Sequence, residues 1–138
     1  MEDEGLYVLD SCAVVALLQG EPGAELVAEI LKDSRNRCLI HAVNACEVYY
    51  DIYRRGGEED ASALEEILTN AGIELVEAMP STLWRTAGKL KAEWRRVSLA
   101  DCLALALALL ENGTLLTTDH HELDRIAQAA ICPIRFIR

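Results

Sequence analysis

The chain predicts an α/β domain on a central parallel sheet of about four to five strands. Three observations carry that reading. Short apolar runs recur along the sequence. A longer stretch with helical spacing lies between each pair of them. Glycine and proline cluster between segments, where turns belong.

Taken in order, Leu6 to Leu9 reads as a first buried strand and Ser11 to Leu18 as a helix. Gly20-Glu21-Pro22-Gly23 breaks the pattern, and Pro22 can open the next helix, Ala24 to Lys32. Arg37 to Ile40 is a second strand, and Ala42 to Arg55 a helix ended by Gly56-Gly57. Glu58 to Ala71 carries Ala61, Leu64, Ile67 and Leu68 on one side, the pattern of an amphipathic helix closed near Gly72. Ile73 to Val76 is a third strand, and Pro80 starts a helix reaching about Arg95. Ser98 to Leu110 is apolar nearly all round, so that helix belongs in the interior. Leu115 to Thr117 is a fourth strand, His120 to Ala129 a last helix, and Ile134 to Ile137 a fifth strand. No linker or repeat divides residues 1–138, so one domain is expected.

Acidic residues outnumber basic ones 23 to 13, for a formal net charge of -10. That balance argues against a general polyanion-binding surface and suits a basic protein partner. The five cysteines are odd in number and contain no CxxC pair. With the acidic start Met1-Glu2-Asp3-Glu4, they indicate a reducing cytoplasm and buried thiols. The longest unbroken apolar run, Cys102 to Leu110, is far short of the roughly 20 residues that span a bilayer.

Four carboxylates stand at strand ends or in apolar helices: Asp10, Glu47, Asp101 and Asp119. Carboxylates aimed at one point repel unless a cation sits among them, so a hard divalent metal site follows if they converge. Each also has a plain structural role open to it. Asp10 suits an N-cap, and Asp119 with Glu122, like Ser98 with Asp101, has the spacing of a capping box. Glu47 is harder to place, because its helical neighbours Val43, Cys46 and Tyr50 are largely apolar. Pairing, metal ligation or the rim of a cleft would account for it.

Four strings in this order resemble the motifs of PIN-domain ribonucleases. They are Val8-Leu9-Asp10-Ser11-Cys12-Ala13, Asn44-Ala45-Cys46-Glu47-Val48, Ser98 through Ala106, and Leu116-Thr117-Thr118-Asp119. The chain is most similar to VapC-type toxins of type II toxin–antitoxin pairs. That resemblance implies a three-layer α/β/α domain and cleavage of single-stranded RNA with Mg²⁺ or Mn²⁺. It implies Asp10, Glu47, Asp101 and Asp119 as metal-binding catalytic residues, with Ser11 and Thr117 bordering them. A small basic antitoxin and a homodimer are the partners it implies. Many members carry a further acidic residue two places after the fourth-motif Asp, where this chain has His121.

Other features are read as follows. Lys89, Lys91, Arg95 and Arg96 lead toward Ser98, either as a solvated helix face or as a strip steering RNA toward Asp101. His120 and His121 point in different directions on a helix and suit the surface beside the cleft. Trp84 and Trp94 are expected to pack, and Tyr49, Tyr50 and Tyr53 to serve core or interface. No His pairs with a cysteine in a nucleophile motif. The leading expectation is a metal-dependent endoribonuclease. The alternative is a non-catalytic module that docks a protein through the same acidic cleft. An aspartyl phosphatase or receiver domain on Asp10 fits less well, because Cys12 stands where a second Asp is wanted and no Lys follows Arg96.

Overall fold

The computed structural model describes residues 5–138, so the acidic start at Met1 to Glu4 lies outside the described residues. Five strands form its centre: β1 (Leu6–Leu9), β2 (Arg37–His41), β3 (Ile73–Val76), β4 (Thr114–Thr117) and β5 (Ile134–Phe136). All are parallel, in the order β3-β2-β1-β4-β5. Parallel strands need crossovers long enough to hold a helix, which explains the strand–helix rhythm of the sequence.

The strands are short, and the three central ones are largely buried on both faces, with side chains alternating between two cores. Val8 lies in register with Leu39 and Leu115, and all three face one core. Leu9 and Leu116 pair one step on and face the other, with Ile40. The first core is covered by α5 (Ser81–Glu93), α6 (Leu99–Leu110) and α7 (His120–Gln128). The second is covered by α1 (Ser11–Gln19), α2 (Ala24–Lys32), α3 (Ala42–Ser62) and α4 (Leu64–Ala71). The result is a three-layer α/β/α arrangement.

Helix α6 is buried on every side from Asp101 to Ala108, because α5 covers the face turned away from the sheet. Each buried leucine there contributes about 1.5–3 kcal/mol of transfer free energy. That burial is what makes a carboxylate at Asp101 costly, and therefore informative. Among the described residues no helix is long and apolar enough to cross a membrane.

The segment after Gly56-Gly57 departs from the expected single helix over Glu58 to Ala71. Helical structure continues through the glycines to Ser62, with a kink at Gly57 (φ 84°, ψ -175°). A second break at Ala63 then starts α4. The kink turns Ala61, Leu64 and Leu68 toward the core, and only glycine enters such a conformation without strain. Strand β2 also runs one residue further than expected, to His41. There the imidazole accepts the Val43 N–H at Nδ1 (3.2 Å) and faces the Ala78 carbonyl at Nε2 (3.2 Å).

Side-chain expectations divide similarly. Trp94 packs against the first core, but Trp84 is exposed, with the Arg85 guanidinium 5.2 Å from its ring centre. Tyr49, Tyr50 and Tyr53 are all exposed along α3 and none lies in the core. Cys38, Cys102 and Cys132 are buried, whereas Cys12 and Cys46 are exposed; all five thiols are free.

Candidate active site

From β1 the sheet grows toward β2 and β3 on one side and toward β4 and β5 on the other. The crevice beyond the carboxyl ends of β1 and β4 is therefore the topological switch point, where parallel sheets bind ligands. Asp10 follows β1 and Asp119 follows β4 by two residues.

Asp10 is fully buried and held by both oxygens. Oδ1 accepts the Ala13 N–H at 2.8 Å, capping α1, and Oδ2 accepts the Thr117 hydroxyl. Thr117 in turn accepts the Asp119 N–H at 2.9 Å, so one hydroxyl fixes both strand-end aspartates. Burial raises the Asp10 carboxyl from 3.8 to about 6 against these hydrogen bonds, and the charges of Asp119 and Glu47 add to the rise.

Asp101 and Asp119 sit at the starts of α6 and α7, where helix dipoles favour anions. Both segments have capping-box spacing, but neither box closes on itself. Ser98 Oγ accepts the Asp101 N–H at 3.1 Å, and Asp119 Oδ1 accepts the Glu122 N–H at 3.0 Å. The return bond crosses between helices: Glu122 Oε1, from α7, accepts the Ser98 N–H of α6 at 2.6 Å. Asp101 is thereby released from capping duty.

The oxygens of Asp101, Asp119 and Glu122 come within 4.8 Å of one another. Burial pushes the Asp101 carboxyl far above the ordinary range. A hydrogen bond with Glu122 and the charges of Asp10, Glu122 and Asp119 push it further. Among the described residues no lysine or arginine pairs with any of these three carboxylates. Glu47 stands at the rim, half-buried, and accepts the Ser11 hydroxyl at 2.9 Å. Its charge reaches Asp10, yet it lies outside the tight trio.

Two residues of this site escaped sequence reasoning. Asn44 is fully buried, and its side chain joins two motifs. Oδ1 accepts the Ser11 N–H at 3.3 Å and Nδ2 donates to the Ala100 carbonyl at 3.2 Å. A buried amide in an apolar helix was the signal available for it. Glu122 was legible only as a cap. His120 belongs to neither set. It stacks on Phe136 at 3.9 Å and bonds Asp124 and the Arg138 carbonyl, tying the C-terminus to α7. Cys12, beside Asp10, is held as a thiol at about 11 by desolvation and then by the Asp10 charge.

Residues 7–129 match the PIN domain family. The chain belongs to that family. A relative from Mycobacterium tuberculosis, Ribonuclease VapC42, is 29% identical over 116 residues, spanning 79% of this chain and 87% of the relative. Among solved structures, this PIN domain is similar to chains of VapBC-1 from nontypeable Haemophilus influenzae. The TM-score there is 0.70 at 20% identity, covering 96% of this chain and 98% of that one. DNA-bound VapBC from Salmonella typhimurium gives a TM-score of 0.73 at 16% identity, covering 97% and 99%. VapC20 of Mycobacterium tuberculosis, described as a sarcin-ricin loop cleaving toxin, gives 0.65 at 17% identity, covering 86% and 94%. At these identities the structures establish a shared fold. In this PIN domain, Glu122, next to His121, is the residue that joins Asp101 and Asp119.

Proposed function

We propose that this PIN domain is a metal-dependent endoribonuclease, the toxin of a VapC-type toxin–antitoxin pair. Its catalytic residues in this reading are Asp10, Glu47, Asp101 and Asp119, with Ser11, Thr117 and Glu122 supporting them. The observation that carries the reading is the trio Asp101, Asp119 and Glu122, within 4.8 Å and without a cationic side chain among them. An all-carboxylate donor set of this kind fits Mg²⁺ or Mn²⁺ and fits soft metals poorly. The relatives named as ribonucleases support the same activity.

Asp10, Asp101 and Asp119 would hold the cation, with Glu122 beside them orienting Asp101 and Asp119, and with Glu47, outside the trio, serving the attacking water. When bound, the cation offsets charge on the phosphate and the leaving oxygen and lowers the pKa of bound water. The chain's own contribution is position. Thr117 and the Ala13 N–H stop the Asp10 carboxylate from rotating. The Glu122 N–H does the same for Asp119. Helices α1, α6 and α7 all begin at the site, so their N-terminal dipoles favour an incoming phosphate. Ser11 occupies one oxygen of Glu47 and leaves the other to accept a proton from the attacking water. Water adds to phosphorus as Glu47 takes its proton, the bond to the 3′-oxygen breaks, and that oxygen takes a proton from solvent, giving a 5′-phosphate and a 3′-hydroxyl. A small basic antitoxin, a homodimer and a cytoplasmic RNA substrate complete the reading. Neighbours described as VapBC complexes support the antitoxin.

The test is cleavage of an RNA panel by the purified, partner-free chain with Mg²⁺, Mn²⁺ or EDTA. Cutting should require metal. Asp101→Asn should lose several kcal/mol of transition-state stabilisation, about 1,000-fold or more in rate. A folded protein that cuts nothing with any metal would favour the docking module instead.

A further inference from the structure

Half of the ten arginines of this acidic chain are held in ion pairs. Arg35 pairs with Asp33 at 2.7 Å and Arg37 with Glu74 at 2.6 Å. Arg54 and Arg55 both meet Asp51 at 3.1 Å, and Arg138 meets Glu21 at 3.3 Å. Three others, Arg95, Arg96 and Arg125, gather round one cavity of about 480 Å³. Among the described residues no carboxylate pairs with any of the three. Three guanidinium groups outside any ion pair, against the carboxylates of Glu93 and Glu122 in the same lining, make this a locally basic surface on a chain of net charge -10.

The surface is also built. Arg95 and Arg96 sit on the turn between α5 and α6. Lys91 fixes that turn by donating from Nζ to the Arg95 and Val97 carbonyls, both at 2.8 Å. Val97 is buried and Trp94 packs on the core, so the turn is anchored at both ends. Lys91 thus does structural work, and the two guanidinium groups remain free. Arg125 comes from α7, one turn beyond Glu122. Glu122 lines this cavity and also belongs to the carboxylate trio. Its bond to the Ser98 N–H locks the arginine turn to α7. The basic cavity and the acidic centre therefore share a wall.

We propose that this cavity is a substrate subsite, where Arg95, Arg96 and Arg125 take the phosphodiesters of single-stranded RNA on one side of the cleaved bond. Arginine suits that role because its planar fork matches phosphate oxygens. A basic protein partner, which the rest of the surface suits, is repelled here. The proposal rests on the ribonuclease reading above. It also gives the strip at Arg95 and Arg96 its second meaning, with Arg125 as the member no sequence run could show.

The experiment measures fluorescence anisotropy of a labelled, mixed-sequence single-stranded oligoribonucleotide with the full chain and Mn²⁺. Salt is varied between about 50 and 200 mM, and RNA integrity is followed on gels. Arg96→Ala/Arg125→Ala should weaken binding about tenfold or more. It should also reduce the slope of log affinity against log salt by about 1.4, the value for two lost contacts to a single strand. Arg96→Lys/Arg125→Lys should recover much of the salt slope, since charge is retained. Arg37→Ala, at a paired and remote site, should change neither. Wild-type protein that does not bind the RNA, or binding and slope unchanged in the double alanine variant, overturns the proposal. RNA that is cut equally well while affinity ignores the arginines sinks the subsite and spares the ribonuclease reading. RNA that is bound through the arginines but never cut does the reverse.

Discussion

Asp10 and Asp101 are both buried, both near helix starts and both raised in pKa, yet they are held in opposite ways. Asp10 is satisfied by the chain, with a backbone N–H on one oxygen and a hydroxyl on the other. Asp101 faces other carboxylates, and its hydrogen bond with Glu122 raises its pKa instead of lowering it. The first is an anchor whose geometry is set before any ligand arrives. The second is stable as an acid, and becomes a carboxylate at low cost only when a cation joins it. One centre therefore combines a rigid half with a half that waits for metal.

The largest effect expected from that contrast is a pH dependence of the metal-free protein. Asp10 keeps its proton up to about 6 in the folded chain, against an ordinary 3.8. Between those values the folded state binds more protons than the unfolded one. Stability is therefore fully present below 3.8 and falls as pH rises through about 6. The expected loss is on the order of 3 kcal/mol, from 1.36 kcal/mol per pKa unit. Chemical denaturation in EDTA across this range should show the slope, and Asp10→Asn should reduce it to the share that the raised Asp101 carboxyl carries. A slope unchanged in the variant would mean that other groups carry it.

Thr117→Val breaks the rigid half next. The change removes the donor to Asp10 and the acceptor for the Asp119 N–H. A loss of about 1–3 kcal/mol is expected by thermal or denaturant unfolding, from polar groups left buried without partners. Unaltered stability would show that water or rearrangement replaces the hydroxyl.

Glu122→Gln probes the other half. The amide oxygen can still accept the Ser98 N–H, so the fold should survive. Cation affinity should fall about 10- to 100-fold, the range for partners that orient a metal ligand. Equal Mn²⁺ affinity in the variant would return Glu122 to a purely structural role.

The sequence made the sheet legible because parallel strands buried on both faces read as unbroken apolar runs, as in Val8-Leu9 and Leu115-Leu116. The apolar circumference of α6 likewise announced its place in the interior. Long-range wiring was hidden. Ser98 with Asp101, and Asp119 with Glu122, look like two local boxes, and no spacing reveals that Glu122 serves the other helix. Asn44 was quoted inside a motif, but its two bonds reach 33 and 56 residues away. The kink at Gly57 was visible as a break, though its direction depends on where Ala61 and Leu64 find the core. The exposed tyrosines of α3 leave only the interface half of their reading, since aromatic content alone does not tell core from surface.

The most direct test of the account is a calorimetric titration of Mn²⁺ into metal-stripped protein, wild type beside Asp101→Asn. Wild type should bind with proton release, because Asp101 must surrender its proton to the solvent. In Asp101→Asn both the binding and the proton release should be lost or sharply reduced. Equal affinity and equal proton release in the two proteins would contradict the claim that these carboxylates converge to hold a cation.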